Sequence, residues 1–488
     1  MLPKKYFRRK SIELMVRQAE SSNNLVRSLN AFQLILLGIG AIIGAGIFVL
    51  TGTAASQSAG AAVVLSFALS GLACACAGLC YAELSSMIPV SGSAYTFIYA
   101  TLGELAAAIV SFLMIVGTFS VVASVSSGWS GYAVSMLSDV GIHIPAIIAN
   151  TTGKVVQLPD GRTVTAIFNL PAFFIAIFVA LVLYRGVHGS SIMNTIVVLI
   201  KMSVLFFFVV IGITKVDPSN WVPFIPENTG TFGQFGWSGI VGGASMVFLA
   251  YSGFDTVATA AQEAKNPQKD LPIGILGSLF ICMLTYILVS GVLTGIVNYK
   301  ELNVAQPIAL AVDKMGLPWF AFVVKIGAVA GLTSVVLVMS YGVARVIYTV
   351  TNDGLLPKFL AKLHPVYKTP YIATVIVGVI VGLMGATLPL EKIVQLSNFC
   401  IIVTFAIVSF AAIYLHYKEP NRPRVFKCPG MPWIPAFGIL LFIQILAGMP
   451  DSMVYVYFAA LVLLAIGFYL IYGQKHSALE SDGQHGEG

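Results

Sequence analysis

Charge is what this 488-residue chain most lacks. Only 10% of its residues are Asp, Glu, Lys or Arg, 58% are hydrophobic, and the mean hydropathy is +0.90. Soluble domains carry about 25% charged residues, so most of this chain cannot be a water-soluble fold. Cysteine and histidine are scarce too, six of each. Cys74, Cys76 and Cys80 share one apolar run, Cys282 and Cys400 sit in others, and Cys428 stands alone in "FKCPGMP". That spacing offers neither a disulfide framework nor a metal-ligand set, and it reads as small apolar packing residues. No cofactor is expected. A cleavable leader is also missing, because the first 30 residues are basic and polar and have no apolar core.

Long apolar runs are what the chain does have. A membrane helix needs about 20 apolar residues. On that measure the sequence predicts an all-α membrane protein with twelve spans: 31–53, 61–87, 100–135, 166–184, 190–213, 235–261, 271–298, 317–350, 371–388, 393–416, 433–449 and 452–473. The expected organisation is a basic N-terminus over 1–30, one membrane domain over 31–473 and a polar, disordered tail over 474–488. With the N-terminus inside, inner segments hold 19 Lys and Arg and outer segments hold 6. The other two of the 27, Lys201 and Lys325, lie in spans. By the positive-inside rule both termini are cytoplasmic. The net charge of +7 reflects that asymmetry, not nucleic-acid binding, and the basic N-terminus is expected to touch anionic lipid.

Two spans carry interruptions. The first reads "LLGIGAIIGAGIFVLTG" and the sixth "VFLAYSGFDTVATAAQEAKNP". Each interior glycine costs a helix about 1 kcal/mol against alanine, although glycine also lets membrane helices pack closely. Interrupted segments at matching places in two halves point to an inverted-repeat transporter with its site at the midplane. A half-helix starting near Gly46 would offer free N–H groups to a carboxylate. One ending near Ser252 would offer carbonyls to an ammonium. Side by side, the two breaks recognise a zwitterion.

The stretches "GAIIGAGIFVLTGTAA", "CYAELSSMIPVSGSAYTFIYATLGEL", "GWSGY", "AYSGFDTVATAAQEAKNPQKDLPIGI" and "NDGLLPKFLAKLHPVYKTP" resemble the cationic amino acid transporter branch of the amino acid–polyamine–organocation (APC) superfamily, over about residues 27–473. The resemblance implies a LeuT-type 5+5 inverted repeat with discontinuous helices one and six and two further helices, in a bacterial inner membrane. It implies transport of L-amino acids, often coupled to protons. Carried over by position, the carboxylate lies on Gly44, Ala45 and Gly46. The ammonium meets carbonyls near Ile42, Leu249 and Ser252, beside Gly253. Asp255 caps the following half-helix or touches substrate, and Met339 fills space near the pocket.

Lys201 sits mid-span in "VLIKMSV", where a charge costs about 3 kcal/mol or more to insert. The resemblance implies that it replaces the cation of sodium-driven relatives. Its acceptors would be helix-one carbonyls near Gly38 and Ile42, and hydroxyls of Thr333 or Ser334. Three readings stand: a titrating switch, a fixed structural cation, or a residue snorkelling to the interface. Lys325, nearer a span end, reads as snorkelling.

This chain departs from the family pattern where Gly117 replaces a helix-three glutamate, where Leu249 replaces an aromatic, and where "SYGVAR" replaces a "YGQ" motif. Few acids are left for a cationic side chain, which favours small or apolar neutral substrates. Exchange, or transport of Arg and Lys, is the alternative. A membrane enzyme would need a convergent acid–base set, and Lys201 with Asp255 is a poor one. A channel would need a continuous polar lining. Coupling mode, oligomeric state and accessory subunits stay open.

Overall fold

The structure, a computed structural model, describes residues 8–21, 27–157, 162–186, 190–449, 451 and 453–479. Its main helices are α1 (Ile12–Ser21), α2 (Ala31–Ile42), α3 (Val63–Met87), α4 (Ala94–Thr101), α5 (Glu104–Asp139), α6 (Leu170–Tyr184), α7 (Ser190–Gly212), α8 (Gly236–Val247), α9 (Thr256–Thr259), α10 (Pro267–Ile296), α11 (Pro307–Lys314), α12 (Pro318–Asn352), α13 (Tyr371–Thr387), α14 (Leu390–Lys418), α15 (Trp433–Ala447) and α16 (Met453–Phe468). Among the described residues, eight helical runs are long and apolar enough to cross a membrane, and four shorter apolar helices accompany them. One long run, Gly46–Met87, joins the second half of the expected first span to the second span.

The packing pairs distant helices in a regular way. α10 packs along α3, α12 along α5, and α13 along α6. In the order of the expected spans, these pairs join the second with the seventh, the third with the eighth and the fourth with the ninth. Outside the helices, Val155–Gln157 (β1) and Thr163–Thr165 (β2) form a small antiparallel hairpin. Most of the "LPDGRTV" turn expected between them lies outside the described residues.

Charged groups gather at the two ends of the bundle. At one end Lys10 pairs with Asp353 at 2.7 Å, Arg345 with Glu263 at 2.7 Å, and Arg424 with Glu83 at 2.9 Å. Tyr95 adds a hydrogen bond to Asp353 at 2.8 Å. The N-terminal segment does not stand apart from the bundle. Arg8 O accepts from Glu104 N at 3.0 Å, Arg9 reaches Tyr414, and Glu13 pairs with Arg422. The expected disordered tail also starts ordered: Gln474–His476 is helical, and Ala478 N donates to Asp353 O at 3.1 Å. At the opposite end Lys325 pairs with Asp139 at 2.6 Å and is 6% exposed. Its head thus reaches a partly exposed carboxylate at the end of α5, which is compatible with the snorkelling expected of a lysine near a span end and adds an ion-pair partner to it.

Candidate functional site: two broken helices and a buried lysine

Both expected interruptions are present. α2 stops at Ile42, Ile43 takes an extended conformation (ψ 97°), and a π-helical turn runs over Gly46–Leu50. In the sixth span, α8 gives way to a 3-10 turn at Phe248–Tyr251, Ser252 is extended (ψ 142°), and Gly253 has φ +115°. Glycine is required there twice over. That φ is rare for other residues, and a Cβ would lie 2.9 Å from the Ala41 carbonyl. Gly46 is equally constrained, because its Cβ would collide with Ala250 Cα and Cβ. The two breaks therefore meet backbone to backbone.

A fully buried tyrosine lies between them. Tyr286 of α10 lies 2.9 Å from both Ile42 O and Ala250 O, so its single O–H proton ties one break to the other. Sequence reasoning missed this residue, since nothing local marks a tyrosine in an apolar run. Its hydroxyl also changes the expected ammonium site. Ile42 O has one lone pair engaged, and Leu249 O accepts both Ser252 N at 3.1 Å and Ser252 Oγ at 2.7 Å. Leu249 O has no lone pair left for a ligand. Ser252 O and the second lone pair of Ile42 O remain. On the other side, the amides of Gly44 and Ala45 make no backbone hydrogen bond among the described residues. Tyr286→Phe should keep the fold but weaken substrate binding by up to about tenfold, the equivalent of about 1.4 kcal/mol. Isothermal titration of the purified variant checks this.

Lys201 is fully buried, and its Nζ donates to Gly40 O at 2.8 Å and Ile43 O at 3.0 Å. Snorkelling is excluded, because the ammonium points into the bundle at helix one. The expected acceptors need correction. Gly38 lies deeper in α2, where carbonyls serve the helix, and Ile42 O serves Tyr286. The break frees Gly40 O and Ile43 O instead. Thr333 Oγ1 accepts from Trp129 Nε1 at 2.9 Å and donates to Val329 O, and Ser334 Oγ donates to Gly331 O. No hydrogen bond joins either hydroxyl to Lys201. Gly331 contributes space: a Cβ there would stand 3.2 Å from the lysine stem. Hydrogen bonds to charged groups contribute about 1.5–3 kcal/mol each, so two of them can offset the roughly 3 kcal/mol insertion cost.

"GWSGY" acquires a role as well. Tyr132 Oη donates to Phe48 O at 2.7 Å, and Gly128 lets α5 approach Val49. The motif thus holds the segment that follows the first break.

Ser252, Gly253, Asp255 and Met339 line a cavity together with Leu113, Met114, Thr118, Ile401, Thr404 and Phe405. Ile42, Gly44, Ala45, Gly46 and Leu249 do not line it. The Asp255 carboxylate lies near the amides of Gly253, Asp255 and Thr256 but makes no capping hydrogen bond to α9. Capping of α9, one of the two expected roles, is therefore not its geometry. Met339 Sδ receives Thr256 Oγ1 at 3.5 Å. Gly117, the position where the resemblance implies a glutamate, packs on α14, and a Cβ would lie 3.0 Å from Cys400 Cβ. A larger side chain would need the helices to part.

The amino acid permease family model matches residues 29–472. The chain belongs to this family. It is 42% identical to the branched-chain amino acid permease BcaP of Bacillus subtilis, over 97% of this chain and 98% of that protein. It is 38% identical to the methylthioribose transporter of the same organism, over 97% and 99%. Cationic amino acid transporter 9, chloroplastic, of Arabidopsis thaliana is 32% identical, over 94% and 90%. The chain is an integral membrane permease for amino acids and not an enzyme.

Proposed function

We propose that this permease takes up L-amino acids with small or apolar side chains, branched-chain ones first, by proton-coupled alternating access. The observation that carries the proposal is Lys201, buried at the first helix break and bound to the two carbonyls freed by that break. Protonated, the amine holds α2 against α7. Desolvation disfavours the charged form of an amine, and loss of the proton removes the charge that strengthens both bonds. α2 is then free to swing. In this reading the chain spans the membrane twelve times as a LeuT-type 5+5 repeat plus two helices, which the pairing of helices five spans apart supports. Both termini face the cytoplasm of a bacterial cell, on the strength of the charge asymmetry.

The zwitterion is held between the free amides of Gly44 and Ala45 and the carbonyls of Ile42 and Ser252. Apolar walls on the cavity side, and the absence of an acid at Gly117, support neutral side chains. Asp255 in the cavity is the observation that favours the second reading, a cationic side chain. Counterflow in proteoliposomes with each of the twenty amino acids separates them. Exchange of Leu, Ile and Val but not Arg or Lys is the expected outcome, and preference for Arg and Lys would replace the first reading with the second.

A further inference from the structure

The stretch "NDGLLPKFLAKLHPVYKTP" takes no part in the site above. It joins α12 to α13 and carries a 3-10 turn at Lys358–Ala361 that packs on both helices. The turn that follows is tightly built. His364 N donates to Thr369 O at 2.8 Å, and Lys368 N donates to His364 O at 2.9 Å. His364 Nδ1 accepts from Val366 N and Tyr367 N, both at 3.2 Å. Thr369 Oγ1 donates to Tyr184 O at 3.0 Å, and the His364 ring stacks on Tyr367 and meets Tyr184 edge-on. These contacts fasten the loop to the end of α6.

Two kinds of side chain stand out from this ordered loop. Phe359, Leu363, Val366 and Tyr367 are exposed, and Val366 is 74% exposed. Among them Lys358, Lys362 and Lys368 are exposed too and form no ion pair among the described residues. No Asp or Glu occurs from residue 354 to residue 390. Arg185 is a fourth exposed cation, next to Gly186, which lies against Tyr367 and Thr369. At the same end of the bundle Lys10, Arg345, Arg422 and Arg424 are paired with acids. A cluster of exposed apolar side chains on an ordered turn marks an interaction surface, and the unpaired cations around it call for an anion.

The neighbouring helices say which partner lies there. α6 carries an exposed apolar row of Phe174, Phe178 and Leu181, and α13 carries another of Val375, Val379 and Leu383. In a membrane permease such rows face hydrocarbon. Both rows end at the loop, where Tyr184 closes α6, Tyr371 opens α13, and their rings meet edge-on at 6.0 Å. Tyrosines favour the headgroup level. The loop continues the lipid-facing flank into that layer, and its lysines stand where phosphates are.

We propose that this loop and the end of α6 form a binding surface for anionic phospholipid. Lys358, Lys362, Lys368 and Arg185 meet the headgroups, and Phe359, Leu363 and Val366 enter the layer beneath them. The inference rests on the twelve-span reading, in which α6 and α13 cross the membrane, and not on the substrate or the coupling ion. Each Lys or Arg near an anionic surface adds roughly fivefold in affinity.

The test titrates the purified full-length protein in detergent with phosphatidylglycerol, read by native mass spectrometry and thermal unfolding. Phosphatidylglycerol should bind and raise the midpoint, phosphatidylcholine should bind at least tenfold more weakly, and inorganic phosphate should do nothing. Combined Lys358→Gln, Lys362→Gln and Lys368→Gln should weaken phosphatidylglycerol at least tenfold and leave the lipid-free midpoint in place. Lys418→Gln with Lys427→Gln, exposed cations on another segment, should change it less than twofold. Phe359→Ser with Val366→Ser should also weaken the lipid, which a site for free phosphate would not show. Unchanged affinity in the folded lysine variant, an equal loss in the control, or equal stabilisation by inorganic phosphate overturns the proposal. A lost dimer in the serine variant with unchanged lipid affinity assigns the face to a second copy and overturns it too. All six native cysteines are buried, so Val155→Cys and Val366→Cys report the span reading separately. Labelling of both from one face of a vesicle fails that reading and the proposal with it, whereas opposite faces without lipid preference fail the proposal alone.

Discussion

Proteoliposomes carrying Lys201→Ala should not accumulate substrate under an inward proton gradient, while counterflow exchange partly survives. The alanine removes both the group that carries the proton and the two hydrogen bonds that fix α2. Nothing else buried nearby loses a charge partner, so folding should tolerate the change if water reaches Gly40 O and Ile43 O. Lys201→Arg should not rescue accumulation. A guanidinium is planar and stays protonated, and Gly331 leaves space shaped for a slim stem. The arginine variant should sit in one conformation and fail to cycle. Uptake and counterflow measured side by side decide it. Accumulation at the wild-type level in the alanine variant would remove Lys201 from coupling.

The second large effect is expected at Gly46. Even alanine there drives a methyl group into the Ala250 backbone, which is not a flexible side-chain end that can move aside. The breaks must then separate, and the free amides shift away from the carbonyls across from them. Gly46→Ala should abolish measurable substrate binding and lower the thermal midpoint by several degrees, and Gly46→Val should do more. Gly44→Ala is the control, since its Cβ would meet only Val335 methyl groups at 3.3–3.4 Å, a contact that a small side-chain shift relieves. It should fold normally and bind more weakly than wild type. Equal binding by Gly46→Ala would show that the carboxylate lies elsewhere.

The sequence made these two residues visible for different reasons. Lys201 stands out because a charge in an apolar run is expensive. Gly46 stands out because glycines cluster where a long helix should not tolerate them. The breaks, the helical runs and the family were legible on the same grounds. The carbonyls that Lys201 meets were not. They depend on which acceptors the break frees and on Tyr286 having taken Ile42 O, and both are tertiary facts. Tyr286 itself is an ordinary aromatic until α10 is laid against the two breaks. The ion-pair partner of Lys325 was not legible, because Asp139 is 186 residues away. Asp255 was half legible: its place after the break suggested a cap, and only the packing of α5, α12 and α14 around it shows a cavity. The N-terminus reads only as a basic segment in sequence, and nothing local shows that Lys10 meets Asp353 at the far end of α12.

The central claim is that a proton, through Lys201, drives this permease. Wild-type protein in proteoliposomes, given an inward proton gradient and no sodium, tests it most directly with L-leucine as substrate. Accumulation above equilibrium that collapses when the gradient is dissipated is the predicted result. Accumulation only under an inward sodium gradient would contradict it and leave the buried lysine a purely structural cation.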